Sequence, residues 1–86
     1  MADFLFAARF LRDLAEWEAE SSAADREQLD RALAAISRDP ELAGRVPSFY
    51  DPKRPSYLYR AGPLLIHYRV RDDRTVEFLN LFFRRL

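Results

Sequence analysis

Hydrophobic and polar positions change their spacing once along the chain. In the first 36 residues, apolar side chains recur every three or four positions, which is typical of helices packed on one side. These positions are Phe6, Phe10, Leu14 and Trp17, then Leu29, Leu33 and Ile36. From residue 57 onward, apolar and aromatic residues form short runs bounded by turn residues, which is typical of strands. The pattern predicts helices followed by a sheet.

Three runs define the predicted sheet: Tyr57–Arg60, Leu64–Arg71 and Thr75–Phe83. Ala61–Gly62–Pro63 separates the first two runs and Asp72–Asp73–Arg74 the second two. Connections this short make neighbouring strands antiparallel.

The helices have signals at their ends. Ser22 followed three residues later by Asp25 resembles a capping box at the start of a second helix. Asp39–Pro40 stops that helix. Before the first helix, Asp3–Phe6 fits either an edge strand or a first helical turn. Residues 42–55 are expected to form a loop, because glycine, proline and small polar residues dominate them; Val46, Phe49 and Tyr50 are expected to anchor it.

Alternation along the central strand divides its side chains between two faces. One set is expected in the core beneath the helices: Leu64, Ile66, Tyr68 and Val70. The other set is expected on the opposite, open face: Leu65, His67, Arg69 and Arg71. We expect Trp17, Leu33 and Tyr68 to be buried where the helices meet the sheet.

Composition narrows the class of protein. The chain has 86 residues, of which 49% are hydrophobic, so residues 1–86 are expected to form a single domain with its own core. It has no Cys and one His, which excludes thiolate metal sites and the usual His-based clusters. We expect no metal and no small-molecule cofactor. No apolar run approaches the roughly 20 residues of a membrane span, and Met1–Ala2–Asp3 lacks the basic start of a signal peptide. A soluble, cytoplasmic protein without a membrane partner is expected.

The formal net charge is zero but unevenly distributed. Residues 1–40 contain five Arg and nine Asp or Glu, whereas residues 41–86 contain eight Arg, one Lys and five Asp or Glu. The sheet half is therefore basic, which suits an anionic partner such as nucleic acid or an acidic protein segment. Alternatively, these charged groups only solvate the surface of a small protein.

With Asp3–Phe6 as a strand, the predicted order is β-α-α-β-β-β. This order resembles the RelE/ParE superfamily, the toxins of bacterial type II toxin–antitoxin modules. Residues 6–14 resemble the family's strand-to-helix entry, and Asp39–Pro40 with Gly44 resembles its helix exit. Residues 59–62 and 66–70 resemble its central hairpin, and residues 82–85 its terminal basic motif. The resemblance implies an α+β fold with a two-helix hairpin packed on a three- to four-stranded antiparallel sheet.

The family contains ribosome-dependent ribonucleases and inhibitors of DNA gyrase. By resemblance, Ser56, Leu58 and Arg60 share the open face, with Tyr57 and Tyr59 turned inward. A ribonuclease would use as catalytic residues Arg60, His67, Arg69 and Arg85. RNA or phosphate binding would involve Arg60, Arg69, Arg71, Arg84 and Arg85.

The open face departs from the ribonuclease pattern. Cleavage by the RNA's own 2′-hydroxyl needs a proton acceptor, cations for the transition state and an acid for the leaving group. Ser56, Leu58, Leu65 and Phe83 replace basic residues or His that the resemblance would place there. The cations remain, but they do not form a complete acid/base set. A lone strand His is also more often structural than catalytic.

The preferred hypothesis is therefore a toxin that is neutralised by a cognate antitoxin and acts by binding DNA gyrase or another protein. The alternatives are a metal-independent, ribosome-dependent mRNA endoribonuclease and a degenerate, non-toxic interaction module. The terminal strand is apolar on both faces, which marks a surface for a protein partner. The predicted partner-binding residues are Phe78, Leu79, Leu81, Phe82 and Phe83.

Overall fold

The computed structural model describes residues 3–48 and 51–83, which form two helices packed on one sheet. The strands are β1 (Phe4–Phe6), β2 (Val46–Ser48), β3 (Ser56–Ala61), β4 (Leu64–Val70) and β5 (Val76–Phe83). The helices, α1 (Ala8–Glu18) and α2 (Ala23–Arg38), both lie between β1 and β2 in the chain. The α+β class and the two-helix layer are confirmed. No helix among the described residues is long and apolar enough to cross a membrane.

The sheet has five strands in the order β1-β5-β4-β3-β2. The three predicted strands form its antiparallel centre, as expected from their short connections. Phe4–Phe6 is a strand rather than a helical turn, and it pairs parallel to β5. The sheet is therefore mixed. A parallel pair needs a long connection, which the chain between β1 and β5 provides by passing through both helices.

The fifth strand lies in the segment that was expected to be a loop. Val46–Ser48 pairs antiparallel with Leu58–Ser56. Pro47 argues against a strand, but proline is tolerated on an edge strand where its nitrogen faces away from the ladder. Of the anchors predicted for this segment, Val46 is exposed, and Phe49 and Tyr50 lie outside the described residues. Leu42 packs against the core, and the Arg45 guanidinium lies 5.1 Å from the ring centre of Tyr57.

The two helix ends predicted from sequence are confirmed. The Asp25 N–H donates to Ser22 Oγ at 3.1 Å, and the Ser22 N–H donates to Asp25 Oδ2 at 3.4 Å, which completes the capping box. The helix ends at Arg38, before Asp39 and Pro40. The Pro40 carbonyl then accepts a 2.7 Å hydrogen bond from the buried Tyr68 hydroxyl, so the end of α2 is tied to the middle of the sheet.

The core lies between the helices and one face of the sheet. Its fully buried members include Phe10, Ile36, Ile66, Tyr68 and Phe78. Trp17 and Tyr68 are buried as predicted, whereas Leu33 is half-buried at the core edge. The buried stripe of α2 follows Leu29, Ala32 and Ile36 instead.

Strand β5 contains a bulge that reverses its alternation. His67 pairs with Asn80, but Tyr68 pairs with Phe78, so Leu79 is the extra residue. Phe78 lies in the core before the bulge, and Leu81 lies in the core after it. Asn80 is thereby turned to the open face.

Candidate functional site

The open face of the sheet, opposite the helices, carries the predicted site residues in cross-strand rows. One row contains Leu58, His67 and Asn80, and the next contains Arg60, Leu65 and Phe82. Adjacent rows bring residues from β3, β4 and β5 within contact distance of one another.

His67 is only 2% exposed although it belongs to the open face. Its Nδ1 lies 2.9 Å from Asn80 Oδ1, and its Nε2 lies 2.9 Å from Ser56 Oγ. The Phe82 ring stacks on the imidazole with 6.4 Å between ring centres. Three neighbouring strands therefore fix the position of one side chain.

The hydrogen bonds of His67 place a proton on one ring nitrogen. The amide oxygen of Asn80 only accepts, so Nδ1 carries the proton and donates to it. The Ser56 hydroxyl can either donate a hydrogen bond to Nε2 or accept one from it. Both ring nitrogens therefore form hydrogen bonds within the protein, as expected for a structural histidine.

The described arginines of the predicted site differ in their surroundings. Arg69 donates from Nε to Glu77 Oε1 at 2.6 Å, and both side chains are largely shielded from solvent. Arg60 and Arg71 are exposed. Arg84 and Arg85 lie outside the described residues. In the described part of the chain, Arg69 is therefore neutralised by a carboxylate, which reduces its capacity to hold a phosphate.

The five predicted partner-binding residues fall into three environments. Phe78 and Leu81 are buried in the core, and Leu79 and Phe83 are half-buried. Phe82 is 48% exposed. With the half-buried Leu58 and Leu65 and the exposed Val46, Phe82 forms an apolar area on the open face. We refer to Val46, Leu58, Leu65 and Phe82 as the open-face patch.

A basic cleft of about 530 Å³ lies at one end of the sheet. It is formed by the segment before β3 and by the end of β4 with the following turn. Its charged lining residues are Lys53, Arg54, Arg69, Arg71, Asp72 and Asp73. Two predicted phosphate-binding residues, Arg69 and Arg71, are thus brought together, but two carboxylates share their cleft.

Among the described residues, the pKa values of Tyr68 and Asp73 are shifted. Burial raises the pKa of Tyr68 to about 12, since a phenolate would lose its hydration in the core. Hydrogen bonding from Thr75 lowers the pKa of Asp73 in the turn before β5. Tyr68 therefore remains a protonated hydrogen-bond donor at neutral pH, and Asp73 stays an ionised turn residue.

Three residues around the site were missed as partners of the predicted residues. Ser56 was identified only as a departure from a basic position, and Asn80 was hidden by the bulge. Glu77 had a visible signal, because a hairpin turning at Asp72–Asp73–Arg74 places it opposite Arg69. Opposite charges in facing strand positions predict that ion pair.

Comparison with solved structures shows the class of this domain. A chain in the crystal structure of the toxin–antitoxin complex RelBE2 from Mycobacterium tuberculosis superposes with a TM-score of 0.72. The match covers 96% of this chain and 98% of that chain, with 23% sequence identity. No protein-family profile and no curated protein sequence matches the chain. The protein therefore has a RelE-like α+β fold.

Proposed function

We propose that this protein is the toxin of a toxin–antitoxin pair, that a cognate antitoxin neutralises it, and that it acts by binding a protein target such as DNA gyrase. The RelE-like fold and the similarity to a chain of the RelBE2 toxin–antitoxin complex support the first two parts. At this level of identity, fold alone does not choose an activity. The choice of target rests on the open face.

The environment of His67 is the observation that favours a binder. A general base must reach the proton that it abstracts, but this imidazole is buried and both its nitrogens are hydrogen-bonded to Asn80 and Ser56. The cation beside it, Arg69, is paired with Glu77. Next to the exposed Arg60, the open face presents the open-face patch to solvent, and exposed apolar area of this kind marks protein interfaces.

The test is induced expression in bacteria, with growth, mRNA integrity and DNA supercoiling measured separately. Wild-type protein should stop growth and alter supercoiling while mRNA stays intact. Phe82→Glu should relieve the growth arrest, since a charge in the patch opposes desolvation by a partner. Leu11→Glu is the matched control: Leu11 is 49% exposed on α1, against 48% for Phe82, and is remote from the open face. It should remain toxic.

The ribonuclease alternative predicts a different outcome. Cleaved mRNA in wild-type cells, with a loss of about 10²–10⁴ in cleavage rate for His67→Gln, would establish proton transfer by His67 and overturn the binder proposal. Absence of growth arrest at matched protein levels would instead support the non-toxic interaction module.

A further inference from the structure

The pairing between β3 and β4 stops at one end of the sheet, and two arginines lie where it would continue. The pair formed by Tyr57 and Tyr68 sets the register at this end. Continued by three residues, the same register would place Arg54 opposite Arg71. Pro55 lacks the backbone donor that a further ladder bond needs, and β3 begins only after it. A cleft of about 530 Å³ therefore lies between the segment before β3 and the end of β4.

Each side of this cleft contains a turn that an aspartate stabilises. On one side, Asp51 Oδ1 accepts the Lys53 N–H at 3.0 Å, and the Asp51 carbonyl accepts the Arg54 N–H at 3.1 Å. On the other side, Asp73 Oδ1 accepts the Thr75 N–H at 3.0 Å. Because the backbone on both sides is held by its own hydrogen bonds, less ordering is needed when a ligand binds.

Three cations of the cleft are available to a ligand. Arg69 is paired with Glu77, whereas Lys53, Arg54 and Arg71 are exposed and form no ion pair with another described residue. Arginines at facing positions of neighbouring strands repel each other, and an anion placed between them replaces that repulsion by attraction. A guanidinium group can hold a phosphate with two parallel hydrogen bonds, which an ammonium group cannot reproduce.

The carboxylates of the cleft limit the charge of that anion. Asp72 and Asp73 line it as well. Because Glu77 neutralises Arg69, three cations face these two carboxylates, which leaves an excess of one positive charge. A ligand with a single phosphoryl group, at about −1.5 to −2 near neutral pH, suits this balance. A nucleic-acid strand needs a longer track of cations and aromatic side chains for its bases, and no aromatic residue is among the described residues that line the cleft.

The size and polarity of the cleft indicate the rest of the ligand. Its volume is within the range of roughly 300–1,000 Å³ that is typical of small-molecule sites, so it holds more than a phosphate ion. Pro55 and Val70 are its uncharged lining residues. A small polar body, such as a sugar, therefore fits better than an apolar or aromatic one.

We propose that this cleft binds the phosphate monoester of a small polar molecule, such as a sugar phosphate. Arg54 and Arg71 hold the phosphoryl oxygens from the two sides of the cleft, and Lys53 adds a third positive charge. All three residues lie outside the open-face patch, so this site is separate from the surface assigned to a protein target.

The experiment titrates the isotope-labelled full chain with glucose 6-phosphate, glucose and inorganic phosphate at constant ionic strength, and follows the amide and arginine side-chain signals by NMR. Glucose 6-phosphate should give saturable shifts at residues 53, 54 and 69–73. Inorganic phosphate should shift the same signals with lower affinity, and glucose should shift none. Equal affinity for inorganic phosphate would overturn the assignment to an ester.

Arginine variants test the contacts. Arg54→Gln and Arg71→Gln should each weaken binding of glucose 6-phosphate at least about tenfold, since each removes a charge-assisted contact. Arg12→Gln is the matched control at an exposed position of α1, and it should leave the affinity within about twofold. Arg71→Lys keeps the charge but should still lose affinity, because it loses the two parallel hydrogen bonds. The amide spectrum of each variant verifies that it folds.

Four results would each overturn the inference. These are no saturable shift at millimolar glucose 6-phosphate, shifts centred on the open-face patch, affinity unaffected by Arg54→Gln and Arg71→Gln, and tighter binding of a single-stranded RNA of about six nucleotides in the same cleft. Growth arrest is not a readout, so this inference and the proposed function fail independently.

Discussion

Tyr68 illustrates how single residues in this protein combine core packing with a hydrogen bond. Its ring is fully buried, and its hydroxyl donates to the Pro40 carbonyl at the end of α2. The bond satisfies a carbonyl that the chain leaves unpaired where the helix stops. One phenol therefore connects the centre of β4 to the helical layer.

Replacing Tyr68 with Phe should lower the free energy of unfolding by about 1–3 kcal/mol, because the buried Pro40 carbonyl loses its partner. The substitution should also change the response to alkali. The pKa of Tyr68 is raised from 10.0 to about 12 on folding, so its contribution to stability is complete below pH 10 and is lost as pH rises towards 12. Urea unfolding of both proteins should show that the difference in the free energy of unfolding between wild type and Tyr68→Phe decreases from pH 10 to pH 12. A difference that does not change with pH would contradict this role of the Tyr68 hydroxyl.

Asp13 makes a comparable connection from α1 to the sheet. Its Oδ2 accepts the Leu81 N–H at 3.1 Å, just beyond the bulge in β5. Strand β1 has ended by this point, so a helix side chain takes the position that a neighbouring strand would otherwise occupy. The sequence suggests only that Asp13 lies on the polar side of α1.

At the scale of the elements, α2 has a graded apolar face. Ile36 is fully buried, whereas Leu33 is half-buried at the edge of the core. Ile36→Ala should cost about 2–5 kcal/mol, and Leu33→Ala should cost less because part of its side chain is already exposed. Chemical denaturation of the two variants measures both values. Equal losses would place Leu33 in the core, as the sequence predicted.

The turn between β4 and β5 contains strain at one residue. Arg74 adopts φ 71°, a left-handed conformation that favours glycine. Its N–H donates to the Arg71 carbonyl, which closes the turn. Arg74→Gly should therefore raise the free energy of unfolding by about 0.5–1 kcal/mol. Arg74→Ala is the control, because it removes the charge without relieving the backbone, and a matching gain from it would assign the effect to charge.

The elements that sequence predicted best are those with the clearest periodicity. The capped α2 and the three central strands follow from spacing and turn residues. Strand β2 was missed because Pro47 argues against a strand. The segment forms a strand only because it pairs with the edge of β3. The bulge at Leu79 was missed because an extra residue does not change the hydrophobic pattern of a run in which neighbouring residues are apolar. Without it, Asn80 could not be placed beside His67, and Phe78 and Leu81 could not be assigned to the same face.

At the scale of the whole molecule, one core unites the helices and the sheet. Trp17, the single Trp of the chain, is buried in α1 within this core. Its fluorescence should therefore report the docking of α1, while far-ultraviolet circular dichroism reports all elements. In urea the two transitions should coincide, as expected for two-state unfolding of a small domain. A fluorescence change that precedes the loss of circular dichroism would show that the helices detach first.

Pro47 has a consequence for how many molecules can associate. Open-ended polymerisation through strand pairing requires two receptive edges on every subunit, so that each addition creates a place for the next. At one edge of the described sheet, Pro47 removes a backbone donor from β2. A strand that paired with the opposite edge, β1, would leave only the edge with Pro47 for a second addition. Pairing of other chains with the sheet should therefore stop after one bound chain per molecule. This favours a complex of fixed stoichiometry over a growing fibre.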